Sequence, residues 1–217
     1  MQHVLHKAAS RTQFTRVIDF GCGDGANLRA LMPLVKAKSA TGVDLQVTEV
    51  LSGPVILNRC NLLEYVPDKL YDLVVSNQVF EHIYAPWLPK YFEVLKASCA
   101  PGGVILLSTP NRWRPKNLLR ALTLRRPYMM SQNPGVPPEQ HLGHHRECSY
   151  RGLRTLLQEY FEAPQWSIKV VRTVPRVIES QARWMVNIVV YVLLWVVWRP
   201  LCVSASQDHY VVIRRHL

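Results

Sequence analysis

The chain has 217 residues, 48% of them hydrophobic and 19% charged, a balance that fits one folded domain and excludes disordered, collagen-like and coiled-coil classes. Its net charge of +11 favours an anionic partner, whether phosphate, membrane surface or nucleic acid, without choosing among them. Cys22, Cys60, Cys99, Cys148 and Cys202 are scattered, with no CxxC pair, which argues against a disulfide scaffold or a zinc site and suits a reducing compartment.

The first fifteen residues are polar and histidine-bearing and lack the apolar stretch of a signal peptide, so a cytoplasmic location is expected. Beyond them, short Val- and Ile-rich runs alternate with helical patterns, the mark of βα units and a mostly parallel sheet. Strands are predicted at 16–20, 41–44, 55–58, 71–75, 104–108, 167–173 and 209–214. One helix opens at Ala26 behind a glycine turn. Leu88, Tyr91, Phe92 and Leu95 fall at i, i+3, i+4 and i+7 of another, which Pro101-Gly102-Gly103 stops and turns into the next strand. A third carries Leu153, Leu156, Leu157, Tyr160 and Phe161 on one stripe, with Ser149 as its N-cap. These stripes read as core.

Two segments exceed a minimal βα repeat. Residues 111–140 carry Arg112, Arg114, Lys116, Arg120, Arg125 and Arg126 before any acid and then turn proline-rich, which reads as a basic inserted lid within a single 1–217 domain. Residues 184–198 are apolar or Tyr except Asn187. At 1.5 Å per residue a helix of that length reaches roughly 22 Å, short of the ~30 Å hydrocarbon core. A single crossing would also strand the last strand on the far side of a membrane from its own sheet. The segment is therefore expected to be buried in the protein or a homodimer, or to dock as a shallow element on the inner face of a membrane.

Val17-Ile18-Asp19-Phe20-Gly21-Cys22-Gly23-Asp24-Gly25-Ala26 is a buried strand, a glycine turn and a helix start. Glycines belong here because a Cβ would block the sharp bend and the approach of a nucleoside. As GxGxG the loop suits S-adenosylmethionine, and as GxGxxA it suits a dinucleotide. Asp44 ends the second strand, where a carboxylate can accept both ribose hydroxyls of either cofactor.

The ordered series is more specific than its parts. Residues 17–28, Thr41-Gly42-Val43-Asp44, Asn61-Leu62-Leu63, the run 72–83 ending Asn77-Gln78-Val79-Phe80-Glu81-His82-Ile83, Pro101-Gly102-Gly103 and Ser108-Thr109-Pro110-Asn111 resemble the class I S-adenosylmethionine-dependent methyltransferases. Within them the series is similar to the broad group that contains the ubiquinone-pathway O-methyltransferases, over about 16–175 and 208–214. The resemblance implies a Rossmann-like α/β fold, a seven-stranded, mostly parallel sheet whose antiparallel last strand inserts beside the fifth, with helices on both faces. It implies that Gly21, Cys22, Gly23 and Gly25 line the methionine and ribose part of the cofactor and that Asp44, followed by Leu45, holds the ribose. Asn61 and Leu62 would meet the adenine, and Asn77 with Gln78 would close the floor near the sulfonium. Asn61 stands where many relatives carry Asp, and the stretch between Asp44 and Val55 is shorter than usual.

Methyl transfer from a sulfonium is an in-line displacement governed by placement and water exclusion, with a base near neutral pKa needed for a hydroxyl acceptor. His82, just past the fourth strand, is the first candidate. Gln140 to Ser149 resembles the family's His-x-Arg-x-x-Ser lead-in to the helix behind the acceptor, which adds His144 and His145. Metal is not expected, since no carboxylate set at ligand spacing accompanies the histidines. No Asn-Pro-Pro-Tyr sequence is present, so oxygen is the expected target, on a small-molecule, lipid or lipid-linked glycan acceptor. The alternatives are an NAD(P)-dependent oxidoreductase, which the downstream motifs disfavour, and a non-catalytic basic module for membrane or nucleic acid. Nucleic acid ranks low because the basic residues lack regular aromatic interleaving.

Overall fold

The computed structural model describes residues 13–47, 53–114, 117, 143–171 and 208–217. Most of the basic segment 111–140 and all of the apolar segment 184–198 lie outside them. Strands β1 (Arg16–Phe20), β2 (Ser39–Asp44), β3 (Val55–Arg59), β4 (Tyr71–Asn77), β5 (Cys99–Pro110), β6 (Trp166–Val171) and β7 (Asp208–Arg215) form one seven-stranded sheet in the order β3-β2-β1-β4-β5-β7-β6. The first five run parallel, and β7 is antiparallel to both β5 and β6, as the resemblance implies.

Helix α1 (Ala26–Val35) covers one face, and α2 (Leu88–Ser98) and α3 (Tyr150–Tyr160) cover the other. The period-two alternation of the strands separates the two layers. Val17, Leu73, Val75 and Leu106 pack with Leu28, Leu31 and Val35 of α1. Their neighbours Ile18, Val74, Ile105 and Leu107 pack with Tyr91, Phe92 and Leu95 of α2 and Leu153 of α3. Both faces of the central strands are thus buried, which is why they read as unbroken apolar runs. Ser149 caps α3 as expected, its Oγ accepting the Gly152 N–H at 3.2 Å.

One local expectation is corrected. Pro101-Gly102-Gly103 is not a turn ahead of the fifth strand but lies within it, since β5 already pairs at Cys99 with Tyr71 and pairs again at Val104 with Leu73. The extra residues form an irregularity that Gly102 absorbs at φ +73°, a conformation other residues rarely adopt. Strand order reverses between β1 and β4, so the carboxyl ends of these two strands open a crevice, the usual ligand position in such sheets.

Candidate active site

At the end of β1 the glycine turn is held by Gly21 N–H donating to the Val43 carbonyl (2.8 Å) and Gly25 N–H donating to the Cys22 carbonyl (3.0 Å). Gly21 lies at φ +77°, and a Cβ there would run into the Val79 side chain. Gly23 has no atom within 4 Å of where its Cβ would be, so this stretch of backbone stands open. Asp44 ties the turn to β2: its Oδ2 accepts the Gly23 N–H at 2.9 Å and its Oδ1 the Gln46 N–H at 2.8 Å. The carboxylate is thereby fixed in orientation, and each oxygen keeps acceptor capacity for a ligand hydroxyl.

A cavity of about 510 Å³ extends from this point, lined by Gly21, Asp44, Leu45, Gln46, Cys60, Asn61, Leu62, Leu63, Gln78, Val79, His82, Ile83 and Trp87. Six expected cofactor residues, Gly21, Asp44, Leu45, Asn61, Leu62 and Gln78, therefore share one wall with His82. Gly23 and Gly25 belong to the turn but not to the wall. The Cys22 side chain is buried, against Gly42. Asn77 is also off the wall, its Oδ1 accepting the Ser108 hydroxyl of β5. Gln78 beside it sits at φ +58°, its N–H donating to the Ser108 carbonyl at 3.1 Å. A left-handed non-glycine residue costs of order 1 kcal/mol or more. Here it bends the chain from β4 into the 3₁₀ turn Phe80–His82, which brings Val79 and His82 to the cavity. Cys60, Val79, Ile83 and Trp87 were not singled out in the sequence.

Asp19 is the functional candidate that sequence reasoning passed over. It is 3% exposed, and its Oδ1 has no hydrogen-bond partner among the described residues. Burial, and then the charge of Asp44, push its carboxyl up to about 7. An orphan acceptor two residues ahead of the glycine turn fits a ligand that brings a cation, while Asp44 beside open backbone fits one that brings vicinal hydroxyls.

His82, on the cavity wall, belongs to a histidine cluster that continues behind it. The rings of His82 and His144 meet edge to face at 4.8 Å between centroids. His82 Nδ1 faces the Gly143 carbonyl at 3.2 Å, a contact that places the ring proton on that nitrogen. His144 Nδ1 faces Glu147 Oε1 at 3.4 Å. Glu147 has a fully buried side chain clamped by Arg114 and Asn117, so the last described residues after β5 hold the carboxylate that orients His144. The loop bearing His144 is fastened by His145 N–H donating to the Glu81 carbonyl at 2.7 Å. His145 itself packs toward Tyr84, ring centroids 5.6 Å apart, rather than into the cluster. The carboxylate that sequence spacing did not reveal comes from Glu81: ligand-type atoms of Glu81, His82 and His144 all lie within 4.8 Å of one another.

The family profile described as "Methyltransferase domain" matches residues 1–160. A curated relative, a probable S-adenosylmethionine-dependent methyltransferase of Mycolicibacterium smegmatis, is 34% identical over 51% of this chain and 42% of its own length. The chain spans less than half the length of the curated relatives it matches. Among solved structures, the DhpI complex with SAH aligns with a TM-score of 0.57 at 16% identity, over 93% of this chain and 77% of that one. The methyltransferase domain of bacterial CtHen1-C aligns with a TM-score of 0.63 at 17% identity, over 100% of this chain and 97% of that one. At these identities the structures establish the fold.

Proposed function

The chain belongs to the methyltransferase-domain family and has the seven-stranded class I fold, and from that premise we propose that it transfers the methyl group of S-adenosylmethionine to a hydroxyl oxygen of an acceptor bound beside His82 and Trp87. One observation carries the reading: a single cavity runs from Asp44, Asn61 and Leu62 to His82, Ile83 and Trp87, so a nucleoside half and an acceptor half share one space.

When bound, S-adenosylmethionine supplies a methyl group on a good leaving group. The protein's residues have to place, desolvate and deprotonate. Asp44 would hold the ribose, Asp19 the ammonium, and Leu62 and Leu63 the adenine plane. Val79, held against Gly21, and Ile83 give the middle of the cavity an apolar wall that excludes water, which favours in-line attack on a sulfonium. A neutral amine is already nucleophilic, whereas a hydroxyl must shed a proton. The His82–His144 pair, anchored at Gly143 and Glu147, supports the second case.

Titration calorimetry with S-adenosylhomocysteine and NAD separates this reading from a dehydrogenase: binding of the first alone is expected, and binding of NAD alone overturns it. A screen of small-molecule and lipid extracts for a 14 Da gain dependent on S-adenosylmethionine, about one CH2, identifies the acceptor class. His82→Ala is expected to lower turnover by about 100-fold or more while leaving S-adenosylhomocysteine affinity unchanged.

We further propose a lipid-linked or membrane-surface acceptor. Support comes from the sequence: the basic residues of 112–126 lie among leucines, and 184–198 is apolar with Trp184, Tyr191, Trp195 and Trp198. Among the described residues no helix is long and apolar enough to cross a membrane. Replacing Arg120, Arg125 and Arg126 with Gln is expected to reduce flotation with anionic vesicles at low salt, and unchanged flotation returns the acceptor to a freely diffusing molecule.

A further inference from the structure

Glu81 has a relative exposure of 0%, and neither carboxylate oxygen has a hydrogen-bond partner among the described residues. The Thr109 hydroxyl and the Glu81 backbone N–H lie near enough to act on the carboxylate, though neither makes a well-formed hydrogen bond to it among the described residues. Arg146, the cation next along the loop, stacks over the Phe80 ring at 5.2 Å, and no ion pair joins it to Glu81 among the described residues. A fully buried carboxylate with no well-formed donor is unexplained by packing alone.

Its neighbours explain it. Glu81, His82 and His144 present ligand-type atoms that all lie within 4.8 Å of one another. Bonds of ~2.0–2.2 Å to one ion place ligand atoms about 3.3–4.2 Å apart, so the three need only a small closure, and His144, partly exposed on its loop, is able to supply it. Each imidazole has its Nδ1 against an oxygen, the outer contact that orients metal-bound histidines: His82 at the Gly143 carbonyl (3.2 Å) and His144 at Glu147 Oε1 (3.4 Å). Glu147 is in turn fixed by Arg114 and Asn117, a support that keeps an outer carboxylate ionised and still.

We propose that Glu81, His82 and His144 form a divalent transition-metal site, with Glu147 as the outer carboxylate that orients His144, and that the acceptor hydroxyl binds at this site. The inference rests on the O-methyltransferase reading and deepens it: the imidazoles act as ligands, and the hydroxyl loses its proton as a ligand of the cation. Two imidazoles and one carboxylate leave coordination positions open, as in catalytic rather than structural sites, and the nitrogen content favours zinc, iron, cobalt or nickel over magnesium and calcium. The hydroxyl proton leaves to water. The oxygen then forms the new C–O bond as the C–S bond of the sulfonium breaks, and its electron pair stays on sulfur as a neutral thioether.

The full chain, stripped with chelator, would be titrated with Co²⁺ while its visible absorption is followed, and with Zn²⁺ by equilibrium dialysis, each with and without S-adenosylhomocysteine. One ion per chain is expected. Glu81→Gln, which keeps the side-chain volume, and His144→Gln, on its partly exposed loop, should each weaken binding by about 100-fold or more, and Glu147→Gln by about 10- to 100-fold. Glu93→Gln, exposed on α2 and paired only with Lys90 among the described residues, should change nothing. S-adenosylhomocysteine affinity, measured on the same preparations, reports that each variant is folded. Absence of Co²⁺ and Zn²⁺ binding up to millimolar ion in a protein that binds S-adenosylhomocysteine overturns the metal site alone. Undiminished binding in Glu81→Gln or His144→Gln also overturns it. A protein that binds neither ligand overturns the methyltransferase reading and this site together.

Discussion

Asp19→Asn is the substitution that best separates a ligand-binding carboxylate from one that merely completes the core. Asp19 is 3% exposed and lacks a partner on Oδ1 among the described residues, and burial, followed by Asp44, pushes its carboxyl up to about 7. A ligand ammonium binds the ionised form. Affinity for S-adenosylhomocysteine should therefore fall as pH drops, by about fivefold from pH 7 to pH 6 and about tenfold for the next unit. The ligand's own amino group stays protonated throughout that window. Asp19→Asn should abolish the slope and weaken binding at pH 7.5 by about 10- to 150-fold, the worth of a charged hydrogen bond of ~1.5–3 kcal/mol. Stability should move the opposite way. A carboxyl whose folded pKa is raised from 3.8 to about 7 contributes most below 4, and that contribution is lost as pH rises through 7. The Asn variant, which cannot ionise, should therefore melt above wild type at pH 8 and not at pH 4. Calorimetric titration at half-unit pH steps and thermal melts of the free protein read both effects. A flat affinity between pH 7 and pH 6, or a slope that survives in Asp19→Asn, refutes the reasoning and assigns the titration to another group.

Three further outcomes test the neighbouring parts. Asp44→Ala removes the acceptor of the Gly23 and Gln46 N–H groups and should weaken S-adenosylhomocysteine by about tenfold or more; unchanged affinity in a folded protein removes Asp44 from the site. Gly21→Ala combines an unfavourable φ of +77° with a collision against Val79 and should abolish S-adenosylhomocysteine binding, whereas Gly23→Ala, at φ +56° but with no atom within 4 Å of its Cβ, carries only the backbone strain of about 1 kcal/mol and should remain folded; calorimetry and far-UV circular dichroism distinguish the two. Ser149→Ala deletes the α3 cap and should lower stability in urea by about 0.5–2 kcal/mol without altering cofactor affinity; a loss of affinity would mean that the loop before α3 carries more than the acceptor end.

The parts of the fold legible in the sequence are those where local pattern and tertiary demand agree. β1 was read at its observed limits because Val17, Ile18 and Phe20 are buried on alternating faces and the glycine turn follows at once. α2 and α3 were legible because their stripes, Tyr91, Phe92 and Leu95 in one and Leu153 and Leu157 in the other, are fully buried. The start of β5 was not legible, since Pro-Gly-Gly ordinarily ends an element, and only pairing of Cys99 with Tyr71 makes it part of a strand. The site divides along the same line. Asp44 was read from its place at a strand end, and Asn61 and Gln78 came from the family resemblance; the three line one cavity because parallel pairing aligns the strand ends. Glu81 and Glu147 were not legible because nothing local marks them: 66 positions separate the two in the chain, and the sheet order with the His145-to-Glu81 backbone hydrogen bond brings them to one cluster. The signal present was chemical, an acid beside a histidine just past the end of β4. The proposed site needs a second histidine, His144, which the loop ahead of α3 supplies.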